Sequence, residues 1–227
     1  MSNVADIVIA NPAAARVFER YGIDYCCHGQ RPLDVACTDA GVDAAVVRGE
    51  LAHLQPLRSA PIPDNLGALI GHIVATHHVF LRRNLPRLRD LMDKVVNAHS
   101  VAHPEVHHLS TLLGDITDDL LPHLVKEERV LFPMAIELLG QVEQASFHCG
   151  SLRNPISMMH IEHDRVGELL AALRHHTDGY RPPADACPTW HALYAGLAEL
   201  EADTHQHVHL ENNLLFPRIV ELEASLC

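Results

Sequence analysis

His123-Leu-Val-Lys-Glu127-Glu-Arg-Val-Leu131-Phe132-Pro133 and His207-Val-His-Leu-Glu211-Asn-Asn-Leu-Leu215-Phe216-Pro217 are two copies of one pattern, set 84 positions apart. In each, a histidine and a glutamate four residues apart lie on one helix face, one turn above the other. A single HxxxE is ordinarily a solvated contact between neighbouring turns. Two copies in register, each running into Leu-Phe-Pro, mark paired helices that turn their polar groups toward each other. A similar offset of 85 carries His78, Leu85 and Leu88 onto His163, Leu170 and Leu173. The second half of this region therefore reads as a copy of the first: a helix with a lone histidine, then one with HxxxE.

The apolar spacing around these motifs predicts four long helices. The first starts at the cap Asp64 and runs to about Val96, the second from near Pro104 to Leu139. The third covers Pro155 to about His176, and the fourth Pro188 to near Ala224. Pro86, Pro122, Pro133 and Pro217 fall inside them, where each removes a backbone hydrogen bond. Helices of this length joined by polar connections form an up-and-down bundle whose natural metal site is its core. The chain is thus expected to be all-α, with the bundle over residues 62–227. Ahead of it, residues 1–57 read as a small helical domain. Asn11-Pro12 starts a helix that Gly22 stops, and two short helices follow over Leu33–Asp39 and Asp43–Leu54. A proline-rich stretch, QPLRSAPIPD, serves as the linker.

Composition narrows the function. Hydrophobic residues make up 48% and aromatics only 4%, which suits a core of Ala, Leu and Val on helices. A net charge of −12, with no block of Lys and Arg, argues against nucleic acid as a partner. No long apolar run suggests a membrane span, and the N-terminus lacks the features of a secretory signal, so a cytoplasmic protein is expected. The 19 histidines are the unusual total, since neutral imidazole is the commonest metal-ligating side chain. The six cysteines form no CxxC pairs, which sets aside a zinc ribbon.

His123, Glu127, His207 and Glu211 are accordingly the leading metal ligands, followed by His78 and His163 on the other helices. His99 is a further candidate if the chain beyond the first long helix folds back. His77, His160 and His205 are rivals, each within one turn of a chosen residue. Seven donors are too many for one tetrahedral zinc but suit two six-coordinate ions with shared carboxylates and an open position. The ferritin-type arrangement needs ExxH on two core helices. Here Glu50–His53 lies in the small N-terminal unit and Glu105–His108 at a helix start. Glu162, beside His163, and Asp119, one turn before His123, are candidate proton carriers. Cys26 and Cys27 are adjacent, so a disulfide between them would be strained; they suit redox or iron handling better than a structural link.

Residues 62–227 resemble the hemerythrin bundles. The combination of Asp24-Tyr25-Cys26-Cys27 with the EHD segment at 162–164 and the HLENN–LLFP segment resembles the iron–sulfur cluster repair di-iron proteins, also called repair of iron centres proteins. The resemblance covers nearly the whole chain. It implies a cofactor of two non-haem irons, oxo- and carboxylate-bridged, on His78, His99, His123, Glu127, His163, His207 and Glu211. The function it implies is repair of iron–sulfur proteins damaged by nitric oxide or oxidative stress. Iron donation and reduction of nitric oxide to nitrous oxide are the two routes, so whether the chain is an enzyme stays open. Damaged iron–sulfur proteins, nitric oxide or oxygen, and an electron donor are the expected partners; a homodimer is left open. The competing reading is an oxygen- or nitric-oxide-binding sensor or carrier of the hemerythrin type. One departure is His28, which follows the cysteine pair where a small residue would be familiar.

Overall fold

The computed structural model describes residues 3–55, 62–140 and 150–226. Among them every extended element is helical, as expected for an all-α chain. Four short helices come first: α1 (Val4–Ala10), α2 (Ala14–Tyr21), α3 (Leu33–Asp39) and α4 (Ala44–Ala52). The sequence reading missed α1, whose start is marked by Asn3: its side chain accepts from the Asp6 N–H. Asp43 caps α4 in the same way. Gly22 ends α2 with φ +64°, a left-handed conformation suited to glycine, and the following N–H returns to Phe18 O. These helices share a core around Phe18, Tyr25 and Val47, to which the bundle contributes Val208.

The bundle consists of four rods. Three are helices interrupted by a wider π turn. The first joins α5 (Leu66–Ile73), the π turn Val74–His78 and α6 (Val79–His99). The second joins α7 (Val106–Lys126), Glu127–Leu131 and α8 (Phe132–Leu139). The third rod is uninterrupted α9 (Arg153–His176). The fourth joins α10 (Pro188–Leu210), Glu211–Leu215 and α11 (Phe216–Ser225). Asn65, rather than the expected Asp64, caps the first rod by accepting from Ala68 N. In the ring of rods α6 packs on α7 and α10, and α9 packs on the same two.

The π turns give Pro133 and Pro217 their place. In a regular α-helix a proline ring collides with the carbonyl four residues back, here that of Arg129 or Asn213. Both carbonyls lie inside π turns, where the wider helix relieves the clash, and each proline sits in the first turn of the α-helix that follows. Pro86 and Pro122 are carried within α6 and α7.

The bundle interior falls into two apolar clusters. One, around Leu85, Leu113, Leu170 and Leu197, fills the α6–α7–α9–α10 end. The other, around Leu69, Phe132, Ile156 and Phe216, fills the α5–α8–α11 end. Between them lies a layer of buried histidines and glutamates.

Candidate metal centre

Six side chains make up that layer: His78, His123, Glu127, His163, His207 and Glu211. All are 2% exposed or less. They sort into two overlapping sets, each with donor atoms within 4.8 Å of one another. His78 and His207 form one with Glu127 and Glu211; His123 and His163 form the other with the same two glutamates. Glu127 turns Oε2 toward His78 Nε2 at 3.4 Å and Oε1 toward His123 Nε2 at 3.3 Å. Glu211 turns Oε1 toward His207 Nε2 at 2.9 Å and Oε2 toward His163 Nε2 at 3.2 Å. Each carboxylate thus divides its two oxygens between the two histidine pairs.

Three of the four imidazoles are held from behind, while His207 Nδ1 has no hydrogen-bond partner among the described residues. His78 Nδ1 lies 2.7 Å from Glu128 Oε1, which Arg82 also grips. His123 Nδ1 lies 2.8 Å from Glu162 Oε2, and His163 Nδ1 lies 2.9 Å from Asn212 Oδ1. Such acceptors keep a proton on Nδ1, so that Nε2 is the nitrogen that faces inward and can give its lone pair to a cation once it is deprotonated. The inward nitrogens then meet one another, His78 with His207 at 3.2 Å and His123 with His163 at 3.1 Å. Both oxygens of Glu127 and Oε2 of Glu211 make no hydrogen bond. Unpaired buried carboxylate oxygens are costly alone and are satisfied by cations. The donor set therefore fits metal, and its mixture of imidazole and carboxylate suits iron, manganese or zinc.

The electrostatics agree. Burial and the neighbouring Glu211 push Glu127 up, but the imidazoles of His123 and His78 outweigh them and keep it ionised. Burial alone would lower His123; Glu127 and Glu162 instead raise it to about 10. Glu162, chiefly through its hydrogen bond to His123, falls to about 2.

His99 is not brought to the layer, which corrects the expectation that it folds back. It ends α6, about 30 Å along the rod from His78, with its ring 4.9 Å from that of Trp190. The rivals are also turned elsewhere. His77 pairs with Asp203 at 3.0 Å, His160 meets the ring of Phe216, and His205 lies by Tyr25. Asp119 is taken up by Arg165 at 2.7 Å. His148, Cys149 and Cys227 lie outside the described residues. Glu128 and Asn212 were missed in the sequence. Their positions immediately after Glu127 and Glu211 are the signal, since the turn that presents a bridge also presents its neighbour.

Against this layer sits the N-terminal unit. Asn213 Nδ2 donates to Cys26 O at 3.0 Å, and His209 Nδ1 lies 3.2 Å from Tyr25 O. Cys26 and Cys27 are free thiols on the wall of a cleft of about 790 Å³ between this unit and the bundle. The hydrogen bond with Cys27, together with burial and the Asp24 charge, pushes the Cys26 thiol well up.

Residues 69–219 match the model of the hemerythrin HHE cation binding domain, and residues 1–55 that of ScdA_N, a domain of unknown function. The iron-sulfur cluster repair protein YtfE of Musicola paradisiaca (strain Ech703) is 39% identical, over 98% of this chain and 97% of the relative. The protein of the same name from Escherichia coli O157:H7 is 36% identical over 95% and 94%. The chain belongs to the YtfE family. Its bundle is a hemerythrin-type cation-binding domain. Among the described residues no helix is long and apolar enough to cross a membrane.

Proposed function

We propose that the chain holds two iron ions in the buried layer and repairs iron–sulfur clusters damaged by nitric oxide or oxidative stress. The observation that carries the reading is the division of Glu127 and Glu211 between two histidine pairs, which offers each ion two imidazole nitrogens and two carboxylate oxygens. His78 and His207 would hold one ion, His123 and His163 the other. Four protein donors leave a six-coordinate ion open positions for an oxo bridge and a small ligand such as nitric oxide or oxygen. An iron pair held there would supply electrons and Lewis acidity. The names of the relatives support repair as the purpose.

The chain's own residues orient and charge the site. Glu128, Glu162 and Asn212 fix the imidazoles of His78, His123 and His163; Glu162 is a positioning group first, since a carboxyl near 2 holds no proton to give at neutral pH. Asp119, engaged with Arg165, would reach the site as a proton carrier only by leaving that pair. A cytoplasmic location, damaged iron–sulfur proteins as clients and a separate electron donor complete the reading.

The test is anaerobic. The reduced, iron-loaded chain is mixed with a nitrosylated iron–sulfur enzyme, and recovered activity and nitrous oxide are followed together. Recovery above that given by free ferrous iron supports repair, and nitrous oxide alongside it adds reduction of nitric oxide. No recovery beyond free iron would overturn the reading.

A further inference from the structure

We propose that Asp24, Cys26 and Cys27 form a separate cation site with an open fourth position facing the interdomain cleft, built for a thiophilic divalent ion such as ferrous iron or zinc. This deepens the repair reading by giving iron a second resting place, but its test does not depend on repair.

Adjacent residues in extended chain point their side chains to opposite sides. Here the chain turns instead. Asp24 Oδ1 accepts the N–H of Cys26 at 3.0 Å and that of Cys27 at 2.9 Å, an Asx-type turn that brings both thiols to one side. The two sulfurs stand 3.8 Å apart. Two thiolates on one tetrahedral ion, each about 2.3 Å from it, stand about 3.8 Å apart. Asp24 Oδ1 lies 3.4 Å from Cys26 Sγ. An oxygen and a sulfur sharing a tetrahedral ion stand about 3.5 Å apart by the same bond lengths. Two of the three donor spacings therefore already match a tetrahedral ion, and all three donors lie within 4.8 Å of one another.

The surroundings suit a cation. His28 Nδ1 lies 2.6 Å from Asp24 Oδ2, which fixes the carboxylate with Oδ1 toward the thiols. The unfamiliar histidine after the cysteine pair thereby has a structural part. Asp164 and Glu168 on α9 line the same cleft. Between them Gly167, with no side chain, leaves room beside Cys27: an added Cβ there would lie 3.7 Å from its sulfur. Three protein donors with a fourth position left to water is the pattern of an open metal site rather than a closed structural one. Thiolate donors also separate this site from the bundle, whose donors are imidazoles and carboxylates.

The experiment uses the full, iron-loaded chain with its thiols reduced, under anaerobic conditions, and cobalt(II) as the probe. Cobalt on thiolates gives a sulfur-to-metal charge-transfer absorption that the bundle ligands cannot give. We expect this absorption to saturate at one equivalent, and Cys27→Ser to weaken binding by about tenfold or more with bundle iron unchanged. No such absorption, or the same absorption in Cys27→Ser, would overturn the site. A second measurement needs no variant: zinc should slow alkylation of Cys26 and Cys27 by about tenfold while leaving Cys187 unaffected. Equal alkylation with and without zinc would also overturn it. Repair that fails while cobalt still binds counts against the repair reading alone.

Discussion

His163 and Asn212 are joined at 2.9 Å, Nδ1 to Oδ1, and the other end of the same amide lies 3.4 Å from the carbonyl of Cys26. One side chain thus touches both a metal-site imidazole and the cysteine turn. Replacing Asn212 with Leu should weaken the cation shared by His123 and His163 by about 10- to 100-fold. Competition with a chelator should show this as one rapidly lost and one slowly lost ion. Two ions leaving together at the wild-type rate would refute it.

The shared carboxylates make a sharper claim. If Glu127 and Glu211 each serve both cation positions, Glu211→Gln should empty both, whereas His78→Ala should mainly empty one. Iron per folded chain, measured after anaerobic loading, separates the cases. A saturating cation also raises stability, by about 2.7 kcal/mol at a hundred times its dissociation constant. That gain in melting temperature should vanish in Glu211→Gln.

Metal uptake should release protons. In the metal-free chain His123 is raised to about 10, so it is cationic at neutral pH and must lose its proton to bind. Affinity should therefore rise with pH, by about tenfold per unit for this one proton, up to about pH 10. The stability that the charged imidazole gives the metal-free chain runs the other way. It is fully present below the unfolded histidine value of about 6.5 and is lost as pH rises through about 10. Calorimetry in buffers of different ionisation heat would measure the released protons; uptake independent of pH would contradict the assignment.

Gly29 tests the seat of the cysteine turn. A Cβ there would lie 2.4 Å from Tyr25 O and 2.7 Å from Ala5 Cβ, neither of which is the end of a flexible side chain. Gly29→Ala should cost about 2 kcal/mol of overpacking and loosen the turn. Faster alkylation of Cys26, with bundle iron retained, is the expected result.

Much of this was legible because the centre repeats. The two HxxxE–LFP copies and the His78/His163 offset bring together the six residues that the buried layer contains. His99 was not legible, because a residue at the end of a long rod can be placed only by knowing where the rod points. The π turns were hidden for a related reason: one widened turn leaves the apolar periodicity on either side intact. Only Pro133 and Pro217 hinted at them, and Val74–His78 has no proline of that kind. Short α1, apolar at every position but Asp6, has too few turns to show a helical periodicity. Asn212 and Glu128 belong to the site through the nitrogens they hold, which spacing alone does not reveal.

The polar layer between the two apolar clusters has a mechanical meaning. It runs across the full section of the bundle, and three of the four rods change their winding as they meet it. Oil on either side cannot cohere across such a seam. A pair of cations clasped by residues from all four rods would act as a rivet, fastening two half-bundles into one body. Withdrawing iron would then release more than a reactant: it would unfasten the frame, so that the chain's rigidity reports whether it is loaded.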